Sequence, residues 1–269
     1  MTPVAVNGLD LYALKNGKWQ YVASARPQGN KNSVLLIDNL NGDKTTYRLH
    51  LPLYSKLTKL KVGVPVSADI APADKVFSLS EKIAIYGSSI TQGASASRPG
   101  MAYPSIIARK LGVETINLGF SGSAKMEIEM AEILANISAD VYILDCVPNA
   151  SPEQIKQRAV PFVRLLRKKR PDVRIIMVES IYRETAHWNI ETKKRVESQN
   201  EAFKKAYEIL INENAENLFY ITSDNLIGDD HESTIDGTHL TDLGFMRFAD
   251  EIITTLKKIL YMDKISFGY

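Results

Sequence analysis

One cysteine, Cys146, stands in 269 residues, which excludes an internal disulfide framework and any metal site built from several thiolates. A lone cysteine is compatible with a reducing or an oxidising compartment. Histidine is scarce too, with four in all, so each can be weighed singly. Neither sign of charge dominates: 33 Lys and Arg stand against 31 Asp and Glu, for a net +2. Nucleic-acid binding needs clustered cations to neutralise phosphates, and no such patch is present. Lys168-Lys169-Arg170 reads instead as the end of a helix. No apolar run approaches the roughly 18 residues of a transmembrane helix, so no membrane span is expected. The first residues, Met1 to Asn7, lack the basic-then-apolar pattern of a leader. The expected location is the periplasm or exterior if a leader has been removed, and otherwise the cytoplasm. No Gly-x-x-x-x-Gly-Lys or Gly-x-Gly-x-x-Gly follows a strand-like run, so no nucleotide cofactor is expected.

What is present changes character along the chain. The first seventy residues carry short alternating runs, such as 46–51 and 57–62, between turn clusters at Lys15-Asn16-Gly17 and Asn39 to Gly42. They predict a small all-β, sandwich-like domain. A stretch of prolines and little periodicity, 63–73, marks a boundary, which gives an accessory domain over 1–75 and a second domain over 76–269. Beyond it, apolar runs at 83–86, 115–118, 141–144, 173–178 and 218–221 alternate with helical stretches, notably 152–170 and 192–214. Continuous apolar strands joined by helices predict a doubly wound, three-layer α/β sandwich around a parallel sheet. In such folds ligands collect beyond the carboxyl ends of the strands.

The polar residues that matter lie in loops at those ends. Gly87-Ser88-Ser89 follows the first strand, Gly119-Phe120-Ser121-Gly122 the second, and Asp145-Cys146-Val147-Pro148-Asn149 the third. Asp236-Gly237-Thr238-His239 follows the fifth after a loop. A carboxylate three residues before a histidine can hold one imidazole nitrogen while the other faces a nucleophile.

In this order, over about residues 80–260, the blocks resemble the SGNH hydrolase superfamily, the GDSL-type esterases. The resemblance implies a flavodoxin-like fold with Ser89 as nucleophile, His239 as base and Asp236 as its orienter. It also implies an oxyanion hole from the Ser89 and Gly122 N–H groups and the Asn149 side chain. Gly8-Leu9-Asp10-Leu11-Tyr12 extends the likeness to a bacterial branch with an amino-terminal GxDLY β-domain, many of whose members are associated with polysaccharide use. Two departures stand out. Ser88 takes the place of the family's Asp, which leaves the register of Ser88 and Ser89 open, and Val147-Pro148-Asn149-Ala150 replaces Gly-x-Asn-Asp.

Each residue also has a plainer reading. Ser89 and Asn149 suit helix caps, and Asp236-Gly237 suits a turn. Arg98 is either an anchor for a polar substrate or a surface arginine, and Trp188 either a sugar platform or part of a core. Tyr12, Trp19 and Tyr21 are aromatics of the first domain that either bind polysaccharide or pack. His231 sits in an acidic loop with no second ligand at helical spacing, so no metal is expected. Cys146 reads as buried and inert. The expected protein is a serine esterase without cofactor that hydrolyses small acyl esters through an acyl-enzyme; the resemblance implies acetyl esters on carbohydrate, the substrate being a small molecule or a polysaccharide. Its rivals are a lipid, aryl or thioester hydrolase of the same superfamily and a carbohydrate-binding protein with a vestigial triad. Nothing in the sequence sets the oligomeric state.

Overall fold

The computed structural model describes residues 1–73, 77 and 79–265, leaving aside the side chains of 261–265. The expected boundary between residues 75 and 76 lies outside the described residues. A short helix, α1 (Pro3–Asn7), leads into strands β1 (Leu9–Lys15), β2 (Lys18–Ala25) and β3 (Tyr47–His50), which form one antiparallel sheet in the order β2-β1-β3. The first hairpin forms where Asn16-Gly17 predicts it. Both residues take positive φ, 51° and 72°, and Lys15 pairs with Lys18 across a two-residue turn whose twist matches that of the strands. The run Leu57–Val62, expected as a strand, forms none. Its apolar residues, Leu57, Leu60 and Val62, are split between the two faces and all exposed, so no buried apolar face holds it against a partner.

The second part runs β4 (Lys82–Gly87), α2 (Ser89–Gln92), α3 (Tyr103–Leu111), β5 (Glu114–Gly119), α4 (Ile128–Ala135), β6 (Val141–Asp145), α5 (Pro152–Lys169), β7 (Arg174–Val178), α6 (Ile190–Asn212), β8 (Leu218–Ile221) and α7 (Asp242–Ile265). The five strands are all parallel, in the order β5-β4-β6-β7-β8. Alternation along them divides the core. Ala84, Tyr86, Tyr142, Leu144, Ile175 and Met177 pack under α4, α5 and α6. Ile83, Ile85, Val141, Ile143, Ile176 and Val178 pack under α3 and α7. Both faces of β4, β6 and β7 are covered, which is why these three strands read as unbroken apolar runs, whereas β5 at the edge has no fully buried residue; each large side chain so buried contributes about 1.5–3 kcal/mol. Helix α5 ends on Arg167, Lys168 and Lys169 with Arg170 at its C-cap, cations placed against the negative end of the helix dipole.

Strand order reverses at β4. The chain leaves it toward β5 on one side and returns to β6 on the other, so the loops after β4 and β6 diverge and open a crevice. Ser89 follows β4 and Asn149 follows β6.

Candidate active site

Gly87 ends β4 without a side chain because a Cβ there would lie 2.5 Å from the Asp145 carbonyl and collide with the Thr91 side chain. That close approach turns the chain sharply into α2. Ser88, wholly buried, is the N-cap of this helix, its Oγ accepting the Ile90 N–H at 3.2 Å. Ser89 is therefore not the cap. Its Oγ lies 3.0 Å from His239 Nε2, partly exposed at the crevice. As the first helical residue it has no intrahelical acceptor for its own N–H.

The Asp236 to His239 segment organises itself. Asp236 Oδ1 accepts the N–H groups of Thr238 (3.0 Å) and His239 (2.7 Å), and Oδ2 lies 2.7 Å from His239 Nδ1. Burial raises the Asp236 carboxyl, but the His239 N–H, its imidazole and the Thr238 N–H lower it further, so it lies below the usual carboxylate value. Nδ1–H facing that carboxylate leaves Nε2 as the acceptor toward Ser89.

Gly122 takes φ +73°, a left-handed conformation, and a Cβ on it would meet nothing within 4 Å. Its need for glycine is conformational. Asn149 closes a 3-10 turn, Val147–Asn149, with Pro148 preset in its first turn. Ala124 N–H donates to Asn149 Oδ1 at 3.3 Å, which joins this loop to the one holding Gly122 and leaves the Nδ2 hydrogens for another acceptor. Helix α5 is capped by Ser151 in a capping box with Gln154, so Asn149 has no capping duty.

Over residues 80–257 the chain matches the GDSL-like Lipase/Acylhydrolase family, about two thirds of its length. The chain belongs to that family. Residues 1–70 match the GxDLY module, the N-terminus of SGNH-hydrolase-type esterases. A GDSL-like lipase from Bacteroides ovatus ATCC 8483 is 47% identical, with TM-score 0.93 over 96% of this chain and 76% of its own. A salicylyl-acyltransferase from a tetracycline biosynthetic pathway, 16% identical, superposes with TM-score 0.69 over 95% and 80%. A family two carbohydrate esterase from Clostridium thermocellum, 14% identical, does so at 0.68 over 94% and 86%. These last two share the fold. Among the curated proteins compared, none matches.

The cap geometry accounts for the first departure from the GDSL pattern. Asp and Ser rank together as N-caps, so Ser88 does what the family's Asp can do at this position, accepting the N–H two residues on. The second departure is held from outside: Gln199 Nε2, wholly buried on α6, donates to the carbonyls of Val147 (3.1 Å) and Ala150 (2.5 Å), and Arg183 Nη2 to that of Pro148 (3.0 Å). Sequence reasoning passed over both residues, because a Gln and an Arg distant in the chain carry no local signal. It passed over Tyr54 as well. Tyr54 OH lies 2.7 Å from Ser121 Oγ, and Gln92 bridges the Ser121 N–H and the Leu53 carbonyl, so the amino-terminal part touches the glycine loop beside Ser89.

Other expectations change. Arg98, considered as a substrate anchor, is held by the amino-terminal sheet: its Nε lies 3.3 Å from buried Asp10 Oδ2, its Nη2 donates to Tyr12 OH at 3.0 Å, and its guanidinium covers the Tyr21 ring at 4.3 Å. The opposite charge and the rings lie beside it in the fold although distant in sequence, so the arginine turns toward them. Tyr12, Tyr21 and Trp19, which lies under Arg48, are thereby packed into cation–π contacts. Trp188 belongs to no core; it is 91% exposed. Cys146 is buried, and burial pushes its thiol up. His231 is not isolated, since the loop after β7 brings Glu184 and His187 to it; a search at helical spacing sees only ligands on one element.

Beneath Ser89 lies Asp145, wholly buried, its Oδ2 accepting from Thr91 Oγ1 (2.6 Å) and Tyr103 OH (3.0 Å). Burial pushes its carboxyl up to about 7 against the pull of those hydroxyls. With a folded pKa above the unfolded 3.8, its stabilising contribution is full in acid and is lost as pH rises through 7. Urea denaturation of wild type and Asp145→Asn across about pH 5 to 8 is expected to show wild type losing roughly 2 kcal/mol or more relative to the variant as pH rises.

Proposed function

We propose that the chain is a serine esterase that removes small acyl groups, acetyl foremost, from carbohydrate. The reading rests on one observation, the unbroken line from Ser89 Oγ to His239 Nε2 (3.0 Å) and from His239 Nδ1 to Asp236 Oδ2 (2.7 Å). A serine hydroxyl becomes an effective nucleophile only when a base takes its proton as it attacks, and this line supplies the base and fixes its tautomer. Ser89 Oγ bonds to the ester carbon as His239 Nε2 takes the proton. Negative charge moves to the former carbonyl oxygen, where the N–H groups of Ser89 and Gly122 and the Asn149 amide are its donors, each worth about 2.7–4 kcal/mol. Collapse breaks the bond to the alcohol, which leaves with the proton from His239. Water activated by the same imidazole then hydrolyses the acyl-enzyme. We take residues 1–75 as the accessory domain and 76–269 as the catalytic one.

Two facts favour a carbohydrate alcohol. Carbohydrate esterases, including one solved in complex with cellohexaose, share the fold. Trp188 stands exposed on the loop whose Thr185 packs against Gly237, between Asp236 and His239, a suitable platform for a sugar ring. Trp188→Ala is expected to raise KM for an acetylated oligosaccharide about fivefold and to leave aryl-acetate kinetics within twofold, the separation an exposed stacking contact predicts.

The test of the whole reading is turnover of an aryl acetate, acetate release from acetylated xylan, and labelling by a fluorophosphonate mapped to Ser89. Activity on both esters with labelling at Ser89 supports it. Absence of turnover on any short ester, with Ser89 unlabelled, overturns it in favour of a carbohydrate-binding protein.

A further inference from the structure

Glu184 and His187 occupy the two ends of one 3-10 turn, Glu184–His187, in the loop after β7. Residues three apart eclipse in such a turn, so the carboxylate and the imidazole leave the chain on the same side. His231 reaches them from the loop that leads into the Asp236 to His239 segment. Its Nδ1 lies 2.8 Å from Glu184 Oε2, and its ring centroid lies 4.9 Å from that of His187 at an interplanar angle of 85°. One ligand atom from each of the three lies within 4.8 Å of the others. Glu184 is half-buried and the two histidines are open to solvent.

We propose that Glu184, His187 and His231 form a binding site for one divalent transition-metal ion of the zinc class, which ties the two loops beside Asp236 and His239 together. Two imidazole nitrogens and one carboxylate oxygen make a borderline donor set, which zinc and its neighbours take readily and magnesium and calcium, needing oxygen shells, do not. Tetrahedral zinc with bonds of about 2.0–2.2 Å holds its ligand atoms ~3.3 Å apart. Donors already gathered within 4.8 Å reach that spacing by small side-chain rotations. Three protein ligands leave a further position for water, and the open setting points to reversible binding.

The neighbourhood suits a cation and a bracing role. Asp229 and Glu232 flank His231 in the chain and add negative charge, whereas Asp230 is taken up by Arg247. Thr185, between the two ligands of the 3-10 turn, packs so closely on Gly237 that a Cβ there would lie 2.6 Å from its methyl group. The ion would therefore hold the turn and the Asp236 to His239 segment in register from outside the crevice. None of its three ligands is in the line from Ser89 to Asp236.

The site stands apart from the esterase reading, because binding is read on protein without substrate. Chelator-treated, desalted protein is titrated with Zn²⁺ by calorimetry, beside Glu184→Gln, His187→Ala and His231→Ala, with Ca²⁺ as the contrasting ion. The expected result is one Zn²⁺ per chain, weakened at least about tenfold in every variant, no comparable Ca²⁺ binding, and a Tm raised by about 5 °C at saturating Zn²⁺ in wild type alone. A Co²⁺ absorption spectrum of wild type, which needs no variant, is expected to report nitrogen ligation. No saturable Zn²⁺ binding, equal binding in His187→Ala and His231→Ala, or Ca²⁺ bound as tightly as Zn²⁺ would each overturn the proposal.

Discussion

Ser89→Ala is expected to lower kcat for aryl-acetate hydrolysis by about 10⁴-fold or more while leaving Tm within a few degrees of wild type. The hydroxyl removed contacts His239 Nε2 and caps nothing, so its loss removes the attacking group without unsettling α2. His239→Ala is expected to cost about as much, and the double variant no more than either alone, because the two groups act on one proton transfer and their effects do not add. Ser88→Ala separates the two serines. It deletes the hydrogen bond to the Ile90 N–H and is expected to cost about 1 kcal/mol of stability with turnover kept within tenfold. The opposite pattern, with turnover lost in Ser88→Ala and kept in Ser89→Ala, contradicts the assignment. Asp236→Asn adds a test of tautomer. Its Oδ1 can still accept the N–H groups of Thr238 and His239, but an amide nitrogen in place of Oδ2 cannot accept from Nδ1–H, so turnover falls while the loop keeps its shape.

The parts of this protein that were legible in its sequence are those whose cause is local or periodic. Unbroken apolar runs foretold the parallel sheet because burial on both faces leaves no polar side. Asn16-Gly17 foretold its hairpin because few residues accept positive φ in succession. Asp236 and His239 were legible together because an Asx-type cap and an imidazole three residues on are one local structure. The rest depends on distance in the chain. Gln199, Arg183 and Tyr54 hold the site's loops through one or two hydrogen bonds each from other elements, and nothing near them in sequence marks those contacts. Arg98 was legible as a polar residue near Ser89 but not in its partner, since Asp10 lies in another sheet. The Glu184, His187 and His231 cluster is the same case, assembled from two loops that only the fold brings together.

Asp10→Ala is expected to lower the stability of the whole chain by about 3 kcal/mol, a large effect for a residue so far from Ser89 in sequence. Asp10 is wholly buried on β1, where its two carboxylate oxygens take the Gly100 N–H at 2.9 and 3.1 Å and face the Arg98 guanidinium. Tyr12, two residues on and so on the same face of the strand, receives Arg98 Nη2 and lies under Arg109 at 4.2 Å. The Gly8-x-Asp10-Leu11-Tyr12 motif thus works as a latch onto the segment between α2 and α3. Removing its carboxylate leaves the buried Gly100 N–H and the Arg98 guanidinium without their anion, and unpaired buried groups cost more than the pair contributes. Leu53 and Tyr54, held by the Ala5 and Val6 carbonyls of α1, touch Gln92 and Ser121 from the same amino-terminal part, so loosening the latch is expected to lower kcat on an aryl acetate a few-fold. Urea denaturation of Asp10→Ala, Arg98→Ala and the double variant isolates the contact. A coupling energy of about 1–3 kcal/mol is expected from a direct buried pair, and additive losses would show that Asp10 acts through Gly100 alone.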